Sequence, residues 1–296
     1  MKFSFKNNVI LGLVLSFTGS YLFAKDSVIV RASCSSGSAV TVKGKEVSLS
    51  SIPKGAKVQI VVSPKDPICK GVLDIWWDHR EDLQNQKVIA NYLSTKPKVP
   101  NDFEISWKTA RLVYFIGNYG YGENNFVNTK AGAELFHYGA EAGKQAMKLE
   151  PNRVEGYYWY AIDLGSYGLA KGIIASAANA KEGMRALAKA MSIDPKYQWY
   201  GSSRILGRYY QELPGLFGGD KEKALQLMKS ATEKAPEFRN NWEFLGKYYL
   251  SRKEYDKALV ACNTALEKKS LDGKYEEARY IREAQECRNK AQEKLK

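Results

Sequence analysis

The sequence predicts a mainly α protein: a solenoid of stacked helical hairpins preceded by a small antiparallel β unit. Three observations predict it. Residues 27–63 alternate apolar and polar on a two-residue period, as half-buried strands do. From Leu73 onward the apolar residues return at helical spacing. Helical segments then end repeatedly in proline, at Pro151, Pro195 and Pro236, 44 and 41 residues apart, and recurrence at such periods marks repeat architectures.

The first 24 residues read as an address. Lys2 and Lys6 precede an apolar stretch from Val9 to Phe17, and Leu22-Phe23-Ala24 offers a cleavage site before Lys25. This is the layout of a secretory signal peptide, and its apolar part is short of the roughly 20 residues of a membrane span. A periplasmic or otherwise extracytoplasmic destination follows, with an uncleaved anchor as the alternative. No lipid-attachment cysteine follows, since Cys34 lies in the context Arg31-Ala32-Ser33. The formal net charge is +13 over 296 residues, and cleavage removes two positive charges to leave +11. A surface of that sign favours anionic partners: acidic proteins, lipid headgroups or wall polymers. Export argues against nucleic acid.

Residues 25–71 form the β unit. Val28, Val30 and Ala32 share one strand face, and the pattern returns at Val40/Val42, Val47/Leu49 and Val58/Ile60/Val62. Lys43-Gly44-Lys45 is a hairpin signal, and Ile52-Pro53-Lys54-Gly55 fits a type I turn. Four cysteines in an exported chain suggest two disulfides. The local pairs are Cys34 with Cys69 and Cys262 with Cys287, although four cysteines allow three pairings. The unit carries scattered lysines; they read either as a contact surface for an anionic partner or as solvated charge that discourages edge pairing.

A leading amphipathic segment spans residues 73–93, within a stretch from 72 to 100. Thr95-Lys96-Pro97-Lys98-Val99-Pro100 ends it, because two prolines in four residues cannot continue a helix. Asn101-Asp102 can cap the next helix. Hairpins then fill residues 101–270, and residues 271–296 form a charged helix suited to cap the array, with Lys274 as the start of its helical tract.

The last hairpin carries the clearest pattern. Trp242, Leu245, Gly246 and Tyr249 fall in order on its first helix, with Ala258 and Ala265 on its second, matching the tetratricopeptide consensus. Cys262 stands at the usual aromatic position and Ser270 at the usual proline. Small residues let the two helices approach, and large ones fill the space beside them. Leu206, Gly207, Tyr210, Ala224, Ala231 and Pro236 repeat the scheme, with a lengthened loop at Leu213–Asp220. Tyr157, Tyr160, Ala161, Leu164, Leu187, Ala190 and Pro195 repeat it again, with an insertion around Gly172–Ala180. Trp107, Ala110, Tyr114, Ala146 and Pro151 form the loosest copy. One such hairpin cannot bury its apolar face alone, so stacking is required.

The segments SWKTAR, EGYYWYAIDLGSYG, LPGLFGGDKEKALQLMKSATEKAP and NNWEFLGKYYLSRKEYDKAL resemble the tetratricopeptide T component of TRAP transporter systems. They are also similar to the related helical domain of regulator of microtubule dynamics proteins. The likeness spans about Asp102 to Glu267 and leaves out the β unit. The T-component resemblance implies an extracytoplasmic helical scaffold with a central cavity. Such a scaffold works with a TRAP-type substrate-binding subunit that delivers small carboxylate or hydrophobic ligands to a permease. The absent lipid-attachment cysteine departs from that family's pattern.

The first helix of each hairpin lines the concave side of such a stack. Spacing from the core positions predicts a lining of Lys108, Leu112, Tyr158, Ile162, Arg204, Arg208, Glu243 and Lys247. Four of these eight are basic, so the groove suits an acidic peptide or a carboxylate held by charge-assisted hydrogen bonds; solvated surface charge is the plainer alternative. In Tyr157-Tyr158-Trp159-Tyr160, Tyr157 and Tyr160 fall on the core face, leaving Tyr158 and Trp159 for the groove.

Catalytic signatures are thin. His79 and His137 are the only histidines. Asp78, His79 and Asp82 lie within one turn but lack a second histidine, so no metal is assigned, and the stretch Trp76–Asp82 reads as a solvated helix start. Leu213–Asp220 is glycine-rich without the Gly-Lys-Ser/Thr ending of a phosphate loop; Gly218-Gly219-Asp220 reads as a turn and helix cap. No cofactor is implied. The reading is a non-enzymatic binding scaffold that takes a protein partner or a small acidic or hydrophobic ligand, with accessory service to solute uptake as its more specific form. Its rivals are an envelope adaptor whose basic β unit meets anionic wall or lipid, and an enzyme with dispersed cavity residues.

Overall fold

The structure is a computed structural model that describes residues 28–32, 40–42, 45–47, 58–62, 67–119, 129–269 and 273–296. The expected signal segment, Cys34 and the two expected β turns lie outside the described residues. Eleven α-helices among the described residues make the chain mainly α. No described helix is long and apolar enough to cross a membrane.

Four short strands come first: β1 (Val28–Ala32), β2 (Val40–Val42), β3 (Lys45–Val47) and β4 (Val58–Val62). Their order in the sheet is β3-β2-β1-β4. β1–β2 and β2–β3 pair antiparallel, but β1 pairs β4 in parallel, Val30 opposite Ile60. The sheet is therefore mixed, not the antiparallel unit expected. Two-residue periodicity reports which face is buried and not strand direction, so this pairing is invisible in it.

The leading segment is two helices, α1 (Lys70–Asp78) and α2 (Leu83–Ser94), where one was expected. The Asp82 carboxylate caps α2 by accepting from the Gln84 and Asn85 amides at 2.9 and 3.0 Å. The stretch Trp76–Asp82 is thus a helix end and a joint, and Trp76 is wholly buried.

The hairpins follow: α3 (Phe103–Tyr119) with α4 (Lys130–Leu149), α5 (Val154–Lys171) with α6 (Ile173–Ile193), α7 (Tyr197–Glu212) with α8 (Lys221–Lys234), and α9 (Arg239–Ser251) with α10 (Tyr255–Glu267). Each helix packs on its sequence neighbours, so the array is a tetratricopeptide-like solenoid. The expected caps are in place. Asp102 accepts from the Ile105 amide at 2.9 Å, and Asp220 from the Lys223 amide at 3.0 Å after a left-handed Gly218.

The expected insertion at Gly172–Ala180 is not a loop. Gly172, at φ +101°, is the whole connection, and the residues after it are the first turns of α6. Close approach of the two helices is what a glycine permits: a Cβ on Gly168 would stand 2.9 Å from the Ser176 Cα.

Three apolar clusters run along the array. Trp76, Phe115 and Phe136 anchor the first, Tyr160 and Leu187 the second, Met228, Tyr248 and Ala258 the third. Burying one such large apolar side chain contributes about 1.5–3 kcal/mol. The repeat residues Ala110, Ala146, Ala161, Leu187, Ala190, Ala224, Ala231, Ala258 and Ala265 are all buried. Tyr157 is only half-buried, so it is less a core residue than its spacing suggests.

The last helix, α11 (Lys274–Leu295), packs on α10 and α9. A disulfide joins Cys262 to Cys287, with 6.1 Å between their Cα atoms. Gly246 of α9 lies against Cys262 Sγ, where a Cβ would not fit. Cys69 is disulfide-bonded as well; its expected partner, Cys34, lies outside the described residues. The first half of α11 reaches the beginning of the array. The Tyr280 and Tyr119 hydroxyls share a 2.8 Å hydrogen bond, Arg80 pairs with Glu276 at 3.4 Å, and Arg279 donates to Asn118 at 3.3 Å. The two ends of the solenoid therefore meet, and α11 partly covers the concave side.

Candidate ligand cavity

Closure leaves a cavity of about 250 Å³ between α1, α3, α5, α7, α9 and α11. Its walls are mostly aromatic: Trp77, Tyr114, Phe115, Tyr119, Tyr158, Trp159, Trp199, Phe238, Phe244 and Tyr280. Trp159 is fixed by donating its Nε1–H to the Tyr197 hydroxyl at 2.9 Å, and Trp199 stacks on Phe238 at 4.7 Å between ring centres. Arg80, Arg111 and Arg204 supply the charge.

The three guanidiniums are held differently. Arg80 is neutralised by Glu276 and lies 4.1 Å over the Trp77 ring. Arg204, 5% exposed, donates to Asn241 Oδ1 at 2.7 Å and toward the Trp199 carbonyl at 3.4 Å, above the Phe238 and Phe244 rings. Arg111 lies against Trp77 at 3.7 Å and Trp107 at 4.8 Å. Its Nε is buried and has no hydrogen-bond partner among the described residues. Among the described residues, no carboxylate pairs with Arg111 or Arg204. Burial pushes the Arg111 guanidinium down to about 10; Arg80 adds to this while Tyr197, Asp74 and Asp78 oppose it. It remains a cation at neutral pH, half-buried, with its Nε out of contact with water. Such a charge attracts an anion strongly, because little solvent screens it.

The cavity rim carries backbone strain. Gln198, Trp199 and Tyr200 hold φ of +52°, +50° and +61°, three successive non-glycine residues in the left-handed region. Each costs about 1–2 kcal/mol, and such conformations persist where surrounding contacts enforce them. Here the enforcing groups are Arg204 and Asn241, which both donate to the Trp199 carbonyl. Asn241 also donates to the Ala231 and Ala235 carbonyls at 3.0 and 3.1 Å, tying the turn to the end of α8.

The structure brings together three of the residues predicted to line the groove: Tyr158, Ile162 and Arg204. The others sit elsewhere. Lys108 pairs with Asp74 at 2.5 Å and Glu104 at 3.6 Å. Leu112 is buried in the first cluster. Arg208 is exposed beside Phe244. Glu243 is wholly buried and pairs with Lys247 at 2.5 Å, and Lys247 also meets Glu283. Burial pushes the Glu243 carboxyl up. Burial acts the same way on Glu283, but Arg279 and Lys247 beside it hold it down to about 2.

Arg111 and Phe115 replace Lys108 and Leu112 in the lining. On α3 this is a rotation equivalent to one residue, a shift that core spacing alone does not resolve. Trp199 and Phe238 escape sequence reasoning for another reason: they lie at helix starts, where 3.6-residue periodicity carries no signal. Arg80 and Tyr280 come from segments read as a lead and a cap.

Residues 73–216 match the family model described as regulator of microtubule dynamics protein 1-3. That is just under half of the chain. No curated protein matches it. Solved structures to which the chain bears a likeness include a thermophilic tetratricopeptide protein, TTC0263, of Thermus thermophilus, 19% identical over 72% of this chain and 95% of that one, TM-score 0.49. MamA is 18% identical over 72% and 99% of the two chains, TM-score 0.41. A monomeric IFIT1 mutant with m7Gppp-AAAA is 18% identical over 75% and 49%, TM-score 0.47. The tetratricopeptide-like assignment rests on the helix pairing and repeat residues of this chain itself. That architecture is a scaffold suited to protein binding.

Proposed function

We propose that this chain is an exported binding scaffold that encloses a small organic acid and presents its outer surface to a protein partner. The observation that carries the reading is Arg111: a half-buried guanidinium whose Nε is out of contact with water, with no carboxylate in ion-pair contact among the described residues, set against an aromatic cavity. Asp74 and Asp78 act on this charge only from beyond ion-pair distance, so a directly bonded ligand carboxylate would be favourable there. Closure of the concave side by α11 favours a small ligand over an extended peptide, whose usual path the helix occupies.

Accessory service to a TRAP-type uptake system is the finer form of this proposal. It draws on the T-component resemblance of the repeat segments and on the cavity's acidic-ligand chemistry. The partner would then be a substrate-binding subunit. Export draws on the signal-like first 24 residues.

The test is a thermal-shift and calorimetric panel on the whole chain with dicarboxylates, fatty acids, aromatic acids and acidic peptides. One class of small acid is expected to raise the melting temperature, and Arg111→Met to abolish the shift. Stabilisation by acidic peptides alone, or by no acid, overturns the reading.

A further inference from the structure

Resting on the organic-acid reading, we infer that the cavity is built for a planar aromatic monocarboxylate carrying a ring hydroxyl or N–H, such as a hydroxyphenyl- or indole-acetic acid. Three features of the same space require the three parts of that ligand.

The carboxylate is required by Arg111. Its guanidinium is taken up by the Trp77 and Trp107 rings, so its bonding capacity lies at the edges, where a planar acid group is recognised. Its buried, unpartnered Nε shows that capacity is left over. An organic cation, which an aromatic cage otherwise attracts, is repelled by Arg111 and Arg204.

The aromatic body is required by the walls. The aliphatic members of the lining are only Ile162 and Ile205, against ten aromatic rings. Rings prefer offset-stacked and edge-to-face neighbours, and such rigid walls suit a flat guest better than a flexible chain. At about 250 Å³ the space falls just under the roughly 300–1,000 Å³ of drug-sized ligand sites.

The donor is required by Asn240, which lines the cavity at 2% exposure with its Oδ1 buried and lacking a hydrogen-bond partner among the described residues. A buried acceptor left unmade costs more than a made bond returns, so a ligand hydroxyl or ring N–H at this end is favoured over a bare hydrocarbon edge.

The experiment titrates the full chain with 4-hydroxyphenylacetate, indole-3-acetate, phenylacetate, octanoate and p-cresol. Calorimetry and tryptophan fluorescence are the readouts, since Trp77, Trp159 and Trp199 line the space. The two donor-bearing acids are expected to bind roughly 3- to 10-fold more tightly than phenylacetate. p-Cresol should bind at least about tenfold more weakly than 4-hydroxyphenylacetate, for want of a bond to a charged group. Arg111→Met should abolish binding of every acid, and Arg111→Lys should weaken it while keeping the charge. Asn240→Leu should remove the preference for donor-bearing acids while acids as a class still bind, an outcome that a loss of fold does not produce. Octanoate binding more tightly than the aromatic acids overturns the inference and leaves the organic-acid reading standing. p-Cresol matching its acid overturns both, and so does failure of every acid to bind.

Discussion

Two parts of the fold hold buried or half-buried cations, and they treat them in opposite ways. Around α9 and α11, Lys247 and Arg279 are matched by Glu243 and Glu283 in one continuous network. Around α3 and α7, Arg111 and Arg204 make no ion pair among the described residues, Asp74 and Asp78 acting on Arg111 only from farther away. The difference lies in what α11 delivers. Its Glu276, Glu277 and Glu283 neutralise Arg80, Arg239 and the Lys247–Arg279 pair, and its reach ends there. A paired cation serves the fold; an unpaired one in an enclosed space is capacity reserved for something else.

Detaching α11 should blur that contrast most. Replacing Cys262 and Cys287 together by alanine frees a loop of sequence separation 25, and should lower stability by roughly 3–4 kcal/mol on the chain-entropy model. Urea unfolding of the double variant against the parent measures it, and an unchanged midpoint would contradict the role given to the bond.

Glu283→Gln should come next, at about 1–2 kcal/mol, because removing the shared carboxylate leaves the half-buried Lys247 and Arg279 undercompensated. The pH dependence sharpens the attribution. With its folded value held down at about 2 against an ordinary value near 4.3, Glu283 contributes stability above pH ~4.5, lost progressively as pH falls toward 2. The variant should show a shallower acid limb in melting temperature.

Asp163 offers a third kind of buried ionisable group, an acid with neither cation nor hydrogen-bond partner on either oxygen among the described residues. Burial alone raises its carboxyl well above the usual range. A raised acid favours the folded state below pH ~4 and costs stability as pH climbs through the folded value. Asp163→Asn should therefore gain about 1 kcal/mol at neutral pH and nothing at pH 3, read by melting curves at both.

Lys108→Ala should do least. Its pairs with Asp74 and Glu104 have partly exposed acid partners, and such pairs contribute about 0–1 kcal/mol. Since it lies outside the cavity lining, acid binding should be unchanged; a loss comparable to that of Arg111→Met would return Lys108 to the site.

Much of the helical array was legible because its grammar is local. Ala258, Ala265 and Gly246 mark contact points wherever two helices must approach, and Asp102 and Asp220 announce helix starts through their own side-chain chemistry. The insertion at Gly172 was misread because small residues at Ala175, Ala177 and Ala178 extend a helix as readily as they fill a loop. The cavity was legible only in part. Tyr158, Ile162 and Arg204 followed from repeat register. Arg111 depended on a rotation of α3 set by Phe136 filling the space beside Gly117, a tertiary fact. The neutralisation of Lys247 depended on where a helix some 36 residues downstream comes to rest.

Open arrays of helical hairpins behave as nearly independent neighbours and peel from whichever end is weaker. Here Arg80 meets Glu276 across a sequence separation of 196, and Tyr119 meets Tyr280 across 161. Such contacts form only after everything between them has been laid down, so their formation is the slow, late event expected of high-separation pairing. Once latched, neither terminus of the array is free to unravel first, and a quasi-linear polymer of hairpins melts as one cooperative body.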